Sequence, residues 1–265
     1  MALFLFNMED TMGEIIAVAQ MYTVRDYCTT VADTAATCGK LKKIGYNYVQ
    51  ASGIKEPKDV KELKKIFDDN GLVACTTHRA SLKEVIEETD RVIEEHVYLG
   101  SVSVISGLSA EYFNRDGFYR AAEELGKVIG KVNAAGMVLG LHNHSGEFER
   151  FDGKTGLQIM LDNCKGLESE LDVYWAQNGG ADPAWWIEYF SGRCSQIHFK
   201  DMGVVGHKQT MPPIGEGNLN WERIMSACRK SGVGYAIVEM DRPTIDAFEA
   251  FRISLENMKK WGIRT

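Results

Sequence analysis

Long hydrophobic runs, proline-rich segments and low-complexity stretches are absent from this sequence. No apolar run approaches the roughly 20 residues that a membrane-spanning helix requires, so we expect no membrane association. Only five prolines occur in 265 residues, which argues against a flexible linker. We therefore expect one domain over residues 1–265, with residues 1–13 as an N-terminal extension that has no clear period.

The chain also lacks paired cysteines. Its six cysteines are scattered, without a Cys-x-x-Cys pair. The apolar segment 1–8 has no basic start and runs directly into Glu9 and Asp10, which does not fit a signal peptide. Free thiols and a cytoplasmic location are the resulting expectations.

An excess of positive charge is missing as well. The net charge is −7 at pH 7, with 25% charged residues and 45% hydrophobic residues. Non-specific binding to nucleic acid or to anionic membranes depends on clustered Lys and Arg. The composition therefore predicts a globular protein whose partner is neither a nucleic acid nor a membrane, and it does not exclude a small neutral or anionic ligand.

Short apolar segments of strand length alternate with helical segments from residue 15 onwards. The predicted strands are 15–21, 46–50, 72–76, 101–105, 137–141, 169–173, 195–199 and 235–238. Eight strand–helix units in about 250 residues are typical of a (β/α)₈ TIM barrel, an α/β fold. An open doubly wound sheet is the alternative, but no Gly-rich phosphate turn follows the first strand.

Chemically active side chains follow the predicted strands, at the end where TIM barrels place their active sites. They are His78 at the end of the third strand, His142, His144 and Glu147 at the end of the fifth, Asp172 and then Trp175 at the end of the sixth, His198 and then Lys200 at the end of the seventh, and Glu239 and then Arg242 at the end of the eighth. Carboxylates and imidazoles on consecutive strands form a mixed oxygen and nitrogen ligand set. Such a set suits Mn²⁺, Mg²⁺, Co²⁺ or Zn²⁺.

Each of these residues also has an ordinary structural interpretation. Asp172 alone is typical of a cap for the following loop, and His198 alone is typical of a hydrogen-bonded core histidine. Glu239 could pair with Lys200 or Arg242, and Lys200 could form an exposed ion pair with its neighbour. Their joint occurrence favours a metal site, because several charges directed into one barrel mouth are costly unless a cation neutralises them.

Several motifs in the chain resemble one family. They are Gln20-Met21-Tyr22-Thr23-Val24-Arg25-Asp26, Ile44-Gly45-Tyr46, Val49-Gln50-Ala51-Ser52-Gly53, the stretch from His142 to Phe148, Asp172-Val173-Tyr174-Trp175, Gly180-Ala181-Asp182-Pro183, His198-Phe199-Lys200-Asp201 and Gly215-Glu216-Gly217-Asn218-Leu219-Asn220-Trp221. In this order they are similar to the sugar phosphate isomerase/epimerase group of the xylose-isomerase-like TIM barrel superfamily. Members of that group include D-tagatose 3-epimerase-type enzymes, inosose dehydratase, 3-dehydroshikimate dehydratase, 3-keto-glycoside epimerases and catalytic subunits of C-glycoside deglycosidases.

The resemblance implies one divalent metal, often manganese, held by Glu, Asp, His and Glu. The last three correspond to Asp172, His198 and Glu239. Many relatives carry the first Glu at the end of strand five, where this chain has His142. We expect Glu147 to be the fourth ligand, with His142 as the alternative. Mn²⁺ is the first expectation for the metal, and Mg²⁺, Co²⁺ and Zn²⁺ are the alternatives.

The predicted reaction is removal of a proton next to the carbonyl of a keto-sugar or keto-glycoside, through a metal-stabilised enediolate. Glu147 and Glu239 are the expected acid–base pair, with His144 and His142 as further candidates for proton transfer. The residues expected to bind substrate are Trp175, Lys200, His78 and Arg242. Return of the proton gives an isomerase or an epimerase.

Other functions remain open at this point. Loss of a β-substituent from the same enediolate would make the protein a lyase or dehydratase. A sugar-binding partner subunit without catalysis is the non-enzyme alternative, and the protein could be a homo-oligomer. DNA repair of the endonuclease IV kind shares the barrel, but it requires a basic face that this acidic chain does not predict.

Overall fold

A parallel sheet of eight strands forms the centre of the molecule. The computed structural model describes residues 13–265, so the predicted extension lies, apart from Gly13, outside the described residues. The strands are β1 Ile16–Gln20, β2 Tyr48–Ala51, β3 Val73–Thr77, β4 Ser103–Gly107, β5 Val138–His142, β6 Glu168–Asp172, β7 Gln196–Phe199 and β8 Tyr235–Val238. Each predicted strand is present, with its ends shifted by at most two residues.

The sheet curves into a nearly closed barrel. The strand order is β3-β2-β1-β8-β7-β6-β5-β4, and each neighbouring pair is parallel. The two ends of this order meet where Val102 N donates to Cys75 O over 2.9 Å. A hydrogen bond of 2.8 Å between the Thr76 and Ser103 hydroxyl groups joins the same two strands. The prediction of a (β/α)₈ barrel is confirmed.

Helices lie between the strands and surround the barrel. They are α1 Val31–Ile44, α2 Val60–Asp69, α3 Leu82–Glu87, α4 Thr89–Leu99, α5 Arg115–Ala134, α6 Gly156–Asn163, α7 Val173–Asn178, α8 Pro183–Tyr189, α9 Trp221–Ser231 and α10 Ala247–Lys260. The single helix predicted from 82 to 97 is interrupted at Glu88, whose dihedral angles (φ −123°, ψ 32°) are not helical. The prediction also missed α7, which begins directly after β6.

The barrel interior changes from apolar to polar along its axis. Val18, Cys75 and Ile237 form a small buried cluster, against which Tyr48 and Tyr235 pack. The main apolar core lies instead between the strands and the helices. Towards the carboxyl ends of the strands, polar side chains replace the branched apolar residues that usually fill a TIM barrel.

Two further expectations concern the cysteines and the membrane. All six cysteines are free and buried. Within residues 13–265, no helix has the combined length and apolar character needed to cross a membrane.

Candidate active site at the barrel mouth

A large cavity opens at the carboxyl ends of the strands. Its volume is about 1130 Å³. Predicted site residues that line it are His78, His142, His144, Trp175, Lys200, Glu239 and Arg242. The barrel topology therefore brings together side chains that are up to 164 positions apart in the sequence, from His78 to Arg242.

Four potential metal ligands converge beside this cavity. Among the described residues, His142, Asp172, His198 and Glu239 form one group in which donor atoms lie within 4.8 Å of one another, and all four are buried. They come from the ends of β5, β6 and β7 and from the residue that follows β8. Neither this group nor a second one contains Glu147.

Asp172 serves two purposes with its two carboxylate oxygens. Oδ1 accepts a hydrogen bond from Trp175 N over 3.0 Å and so caps α7. Oδ2 is buried and takes no hydrogen bond, although the Lys200 ammonium lies 3.0 Å away. The capping interpretation and the ligand interpretation of this residue are therefore compatible.

Opposite charges determine the protonation of His198 and Glu239. Nδ1 of His198 lies 2.8 Å from Oε2 of Glu239. Burial disfavours a charged imidazole, but the carboxylates of Glu170 and Glu239 outweigh it and raise the pKa of His198 to about 10. Burial likewise disfavours a charged Glu239, but Lys200 and His198 hold its pKa well below the usual value. Glu239 is thus an ionised carboxylate at the cavity wall.

Lys200 is a buried cation among three carboxylates. Its Nζ lies 3.0 Å from Asp172 Oδ2, 2.8 Å from Glu239 Oε2 and 3.1 Å from Asp241 Oδ1. Burial opposes its charge, but these carboxylates outweigh burial and raise the pKa of the ammonium. The interpretation of Lys200 as an exposed ion pair with its neighbour is wrong, since Lys200 is only 1% exposed.

Glu147 lies on the loop after β5, and its carboxylate faces that loop. Oε2 accepts a hydrogen bond from His144 N over 2.9 Å, and Oε1 is buried without a partner. Burial raises the pKa of this carboxyl to about 7. Glu147 is not among the residues that line the cavity. Glu147 thus belongs to neither group of potential ligands, and its roles as ligand and base stay predictions.

Two rings form an aromatic wall beside Lys200. The His144 ring packs edge-on against Trp175, with 5.3 Å between the centroids. The Lys200 ammonium lies 5.5 Å from the Trp175 ring centroid. Burial, followed by the nearby charge of Lys200, lowers the pKa of His144, so its imidazole is neutral at pH 7. Arg242 is exposed at the rim.

Glu170 is the site residue that sequence reasoning missed. It lies in the middle of β6, is fully buried, and hydrogen-bonds to Nε2 of His78. Nε2 of His198 lies 3.0 Å from the same carboxylate oxygen, and Nδ1 of His142 lies 3.3 Å from it. The alternation of Glu168, Glu170 and Asp172 along one strand was the available signal, because it places all three on the same face.

The donor set fits a divalent cation. Among the described residues, Asp172 Oδ2 is a buried side-chain atom without a hydrogen bond, with the Lys200 ammonium 3.0 Å away as an ion-pair partner. Buried polar atoms are normally satisfied, so this oxygen has capacity for a further partner such as a cation. Two imidazoles and two carboxylates in a partly open site suit Mn²⁺, Co²⁺ or Zn²⁺.

The family follows from comparison with known proteins. A model described as the xylose isomerase-like TIM barrel matches residues 38–261. The chain belongs to the xylose isomerase-like TIM barrel family. No curated protein matches it in sequence.

Several solved structures share the whole fold. A sugar phosphate isomerase/epimerase from Parabacteroides distasonis is 24% identical, with a TM-score of 0.76 over 93% of this chain and 94% of the other. L-ribulose 3-epimerase is 18% identical, with a TM-score of 0.71 over 93% of this chain and 94% of the other. The 3-keto-D-glucoside 4-epimerase from E. coli is 16% identical, with a TM-score of 0.68 over 93% and 100%.

Proposed function

We propose that this protein is a divalent-metal-dependent sugar isomerase or epimerase that moves a proton next to a carbonyl group. One observation carries the proposal. Four buried nitrogen and oxygen donors, on four consecutive strands, converge beside a large cavity at the catalytic end of the barrel. The similarity to sugar epimerases in fold supports the substrate class.

In this proposal the cation is held by His142, Asp172, His198 and Glu239. His142, the alternative fourth ligand, takes the position that was first expected for Glu147, since its imidazole lies in the donor group and the Glu147 carboxylate does not. A divalent cation in this position supplies Lewis-acid polarisation of a carbonyl oxygen, which acidifies the neighbouring C–H bond. Mn²⁺ stays the first expectation for its identity.

Two side chains are suited to carrying the proton. Glu239 is ionised and lines the cavity, so it can accept a proton from carbon. His144 also lines the cavity, and its neutral imidazole can return a proton or accept one. Lys200 holds Glu239 through a 2.8 Å ion pair, which fixes the direction of the carboxylate.

The size of the cavity leaves room for a substrate larger than a free monosaccharide. Its volume of about 1130 Å³ exceeds the roughly 300–1,000 Å³ that is usual for drug-sized ligands. Tyr22 and Trp175 offer aromatic faces in its wall, on which a sugar ring or an aglycone can stack. The cavity therefore has room for a keto-glycoside as well as for a single ketose.

Solvent deuterium exchange tests the proposal. The protein, loaded with Mn²⁺, is incubated in D₂O with D-allulose, L-ribulose and 3-keto-glucosides, and the carbon-bound protons are followed by NMR. We expect exchange next to the carbonyl of at least one substrate. We expect it to fall by at least a hundredfold in Glu239→Gln, since a positioned base contributes roughly 10²–10⁴-fold and the same carboxylate is a proposed metal ligand.

Asp182→Asn is the matched control, because Asp182 caps α8 outside this cavity. It should exchange at the wild-type rate. Absence of exchange with all of these substrates, in protein shown to hold metal, would contradict the proposal.

A lyase is the second candidate, and the space for an aglycone favours it. Loss of a substituent at the carbon β to the carbonyl would follow the same proton removal. The same NMR samples distinguish the two, because a lyase releases the free aglycone together with an unsaturated or hydrated keto-sugar.

A further inference from the structure

A chain of hydrogen bonds inside the barrel runs from the backbone of Tyr22, just after β1, to the proposed ligand His198. Tyr22 N donates to Gln20 Oε1 over 3.2 Å, and Gln20 Nε2 donates to Gln50 Oε1. Gln50 Nε2 then donates to Glu170 Oε1 over 2.7 Å. His198 Nε2 lies 2.7 Å from Gln50 Oε1 and 3.0 Å from Glu170 Oε2.

Each polar atom in this series of hydrogen bonds can take only one role, either donor or acceptor. A backbone N–H can only donate, so Gln20 must present its oxygen to Tyr22 and its amide nitrogen to Gln50. An ionised carboxylate can only accept, so Gln50 must present its nitrogen to Glu170 and its oxygen to His198. Two acceptors therefore face His198 Nε2, and this nitrogen must carry a proton.

This leaves Nδ1 as the nitrogen that can bind a cation. Nδ1 of His198 lies 2.8 Å from Glu239 Oε2 and 3.9 Å from Asp172 Oδ2, on the side of the two proposed carboxylate ligands. A neutral imidazole carries a proton on one nitrogen and a free lone pair on the other, so it binds a metal through the nitrogen without the proton. The partner of that other nitrogen commonly determines how tightly the metal is held.

We propose that Glu170, with Gln50, is a positioning residue that fixes the proton on Nε2 of His198 and directs Nδ1 towards the metal. The inference rests on the proposed function, because it assumes a cation at Asp172, His198 and Glu239. It assigns a role to a fully buried carboxylate that does not line the cavity. Packing alone does not account for Glu170, since branched apolar residues usually fill the interior of a TIM barrel.

Metal affinity tests this role without relying on activity. Dissociation constants for Zn²⁺ and Mn²⁺ are measured by competition with a chromogenic chelator on purified full-length protein. We expect Glu170→Gln to weaken both by about 10- to 100-fold, the effect usual for a partner of a metal-bound histidine. Gln50→Leu removes the other acceptor at Nε2, and we expect a loss in the same direction.

Glu168→Gln is the matched control. Glu168 lies on the same strand and face, but its Oε2 accepts hydrogen bonds from Ser195 N and Oγ rather than from an imidazole. The metal affinity of Glu168→Gln should stay within threefold of that of the wild type. If Glu170→Gln does not fold, Glu170→Asp keeps the charge but shortens the reach, and it should lose affinity as well.

The outcomes separate this inference from the proposed function. Wild-type protein that binds no divalent cation contradicts both. Wild-type protein that binds one cation, with unchanged affinity in folded Glu170→Gln and Gln50→Leu, overturns only the role of Glu170. Two cations in the wild type and one in Glu170→Gln would also overturn it, since Glu170 would then be a ligand in a second group with His78, His142 and His198.

Discussion

Asp201 holds the long loop between β7 and α9, and its replacement gives the sharpest test of how this loop is built. Its carboxylate is fully buried. Oδ1 accepts from Met202 N over 2.8 Å and from Leu219 N over 3.4 Å. Oδ2 accepts from Gly215 N over 2.8 Å, Gly217 N over 3.0 Å and Trp221 Nε1 over 2.7 Å.

The substitution Asp201→Asn keeps the size of this side chain but exchanges one acceptor for a donor. Whichever oxygen is replaced, at least two buried N–H groups lose their acceptor. A buried group left without a partner costs about 1–3 kcal/mol, so the free energy of unfolding should fall by about 2–6 kcal/mol. Residues 209–211 of the same loop line the cavity, so substrate affinity should weaken as well.

Urea denaturation followed by circular dichroism measures this change. The control Asp182→Asn should alter stability by less than about 1 kcal/mol, because Asn caps a helix as well as Asp does and the ion pair to Arg223 is exposed. A loss of less than about 1 kcal/mol in Asp201→Asn would refute the reasoning, since it would mean that the loop does not depend on these hydrogen bonds.

Two further predictions concern Glu147 and the glycines. Burial raises the pKa of Glu147 from 4.5 to about 7. Between these two pH values the folded state keeps a proton that the unfolded state has lost. The free energy of unfolding should therefore fall by up to about 3 kcal/mol as the pH rises from 4.5 through 7. Denaturation of Glu147→Gln across this range should lack that part of the loss, whereas an identical pH dependence would mean that the carboxyl is ionised throughout. Gly156→Ala should destabilise the protein by about 1–3 kcal/mol, because the added Cβ would lie 2.3 Å from the Phe118 ring. Gly130→Ala should stabilise it by up to about 1 kcal/mol, because Gly130 lies within α5 and a Cβ there would meet no atom within 4 Å. Denaturation midpoints measure both changes. A midpoint of Gly156→Ala equal to that of the wild type would contradict the packing at α6.

The sequence predicted the barrel because its signals are local and repeated. Each strand is a short apolar run, each helix has one apolar face, and glycines such as Gly45 end helices in the left-handed conformation (φ +118°). The positions of Asp172, His198 and Glu239 followed from the rule that barrels keep their chemistry at the carboxyl ends of strands. Those parts of the site required no knowledge of tertiary contacts.

What the sequence did not predict depends on contacts between distant strands. Glu170 meets Gln50 across 120 positions of sequence, and nothing local to either residue indicates that contact. Lys200 is buried because three carboxylates surround it, one of them on β6. The direction of the Glu147 carboxylate depends on how its loop turns back to offer His144 N. Spacing in the sequence carries no information about such a turn.

Metal content, measured on purified protein dialysed against Mn²⁺, Co²⁺ or Zn²⁺, tests the central claim most directly. We expect close to one equivalent in the wild type and in Glu147→Gln. We expect a loss of binding in Asp172→Ala and Glu239→Ala, with circular dichroism confirming that both variants fold. A wild type that retains none of the three metals would contradict the proposed function. Loss of metal in Glu147→Gln would show that Glu147, rather than His142, completes the site.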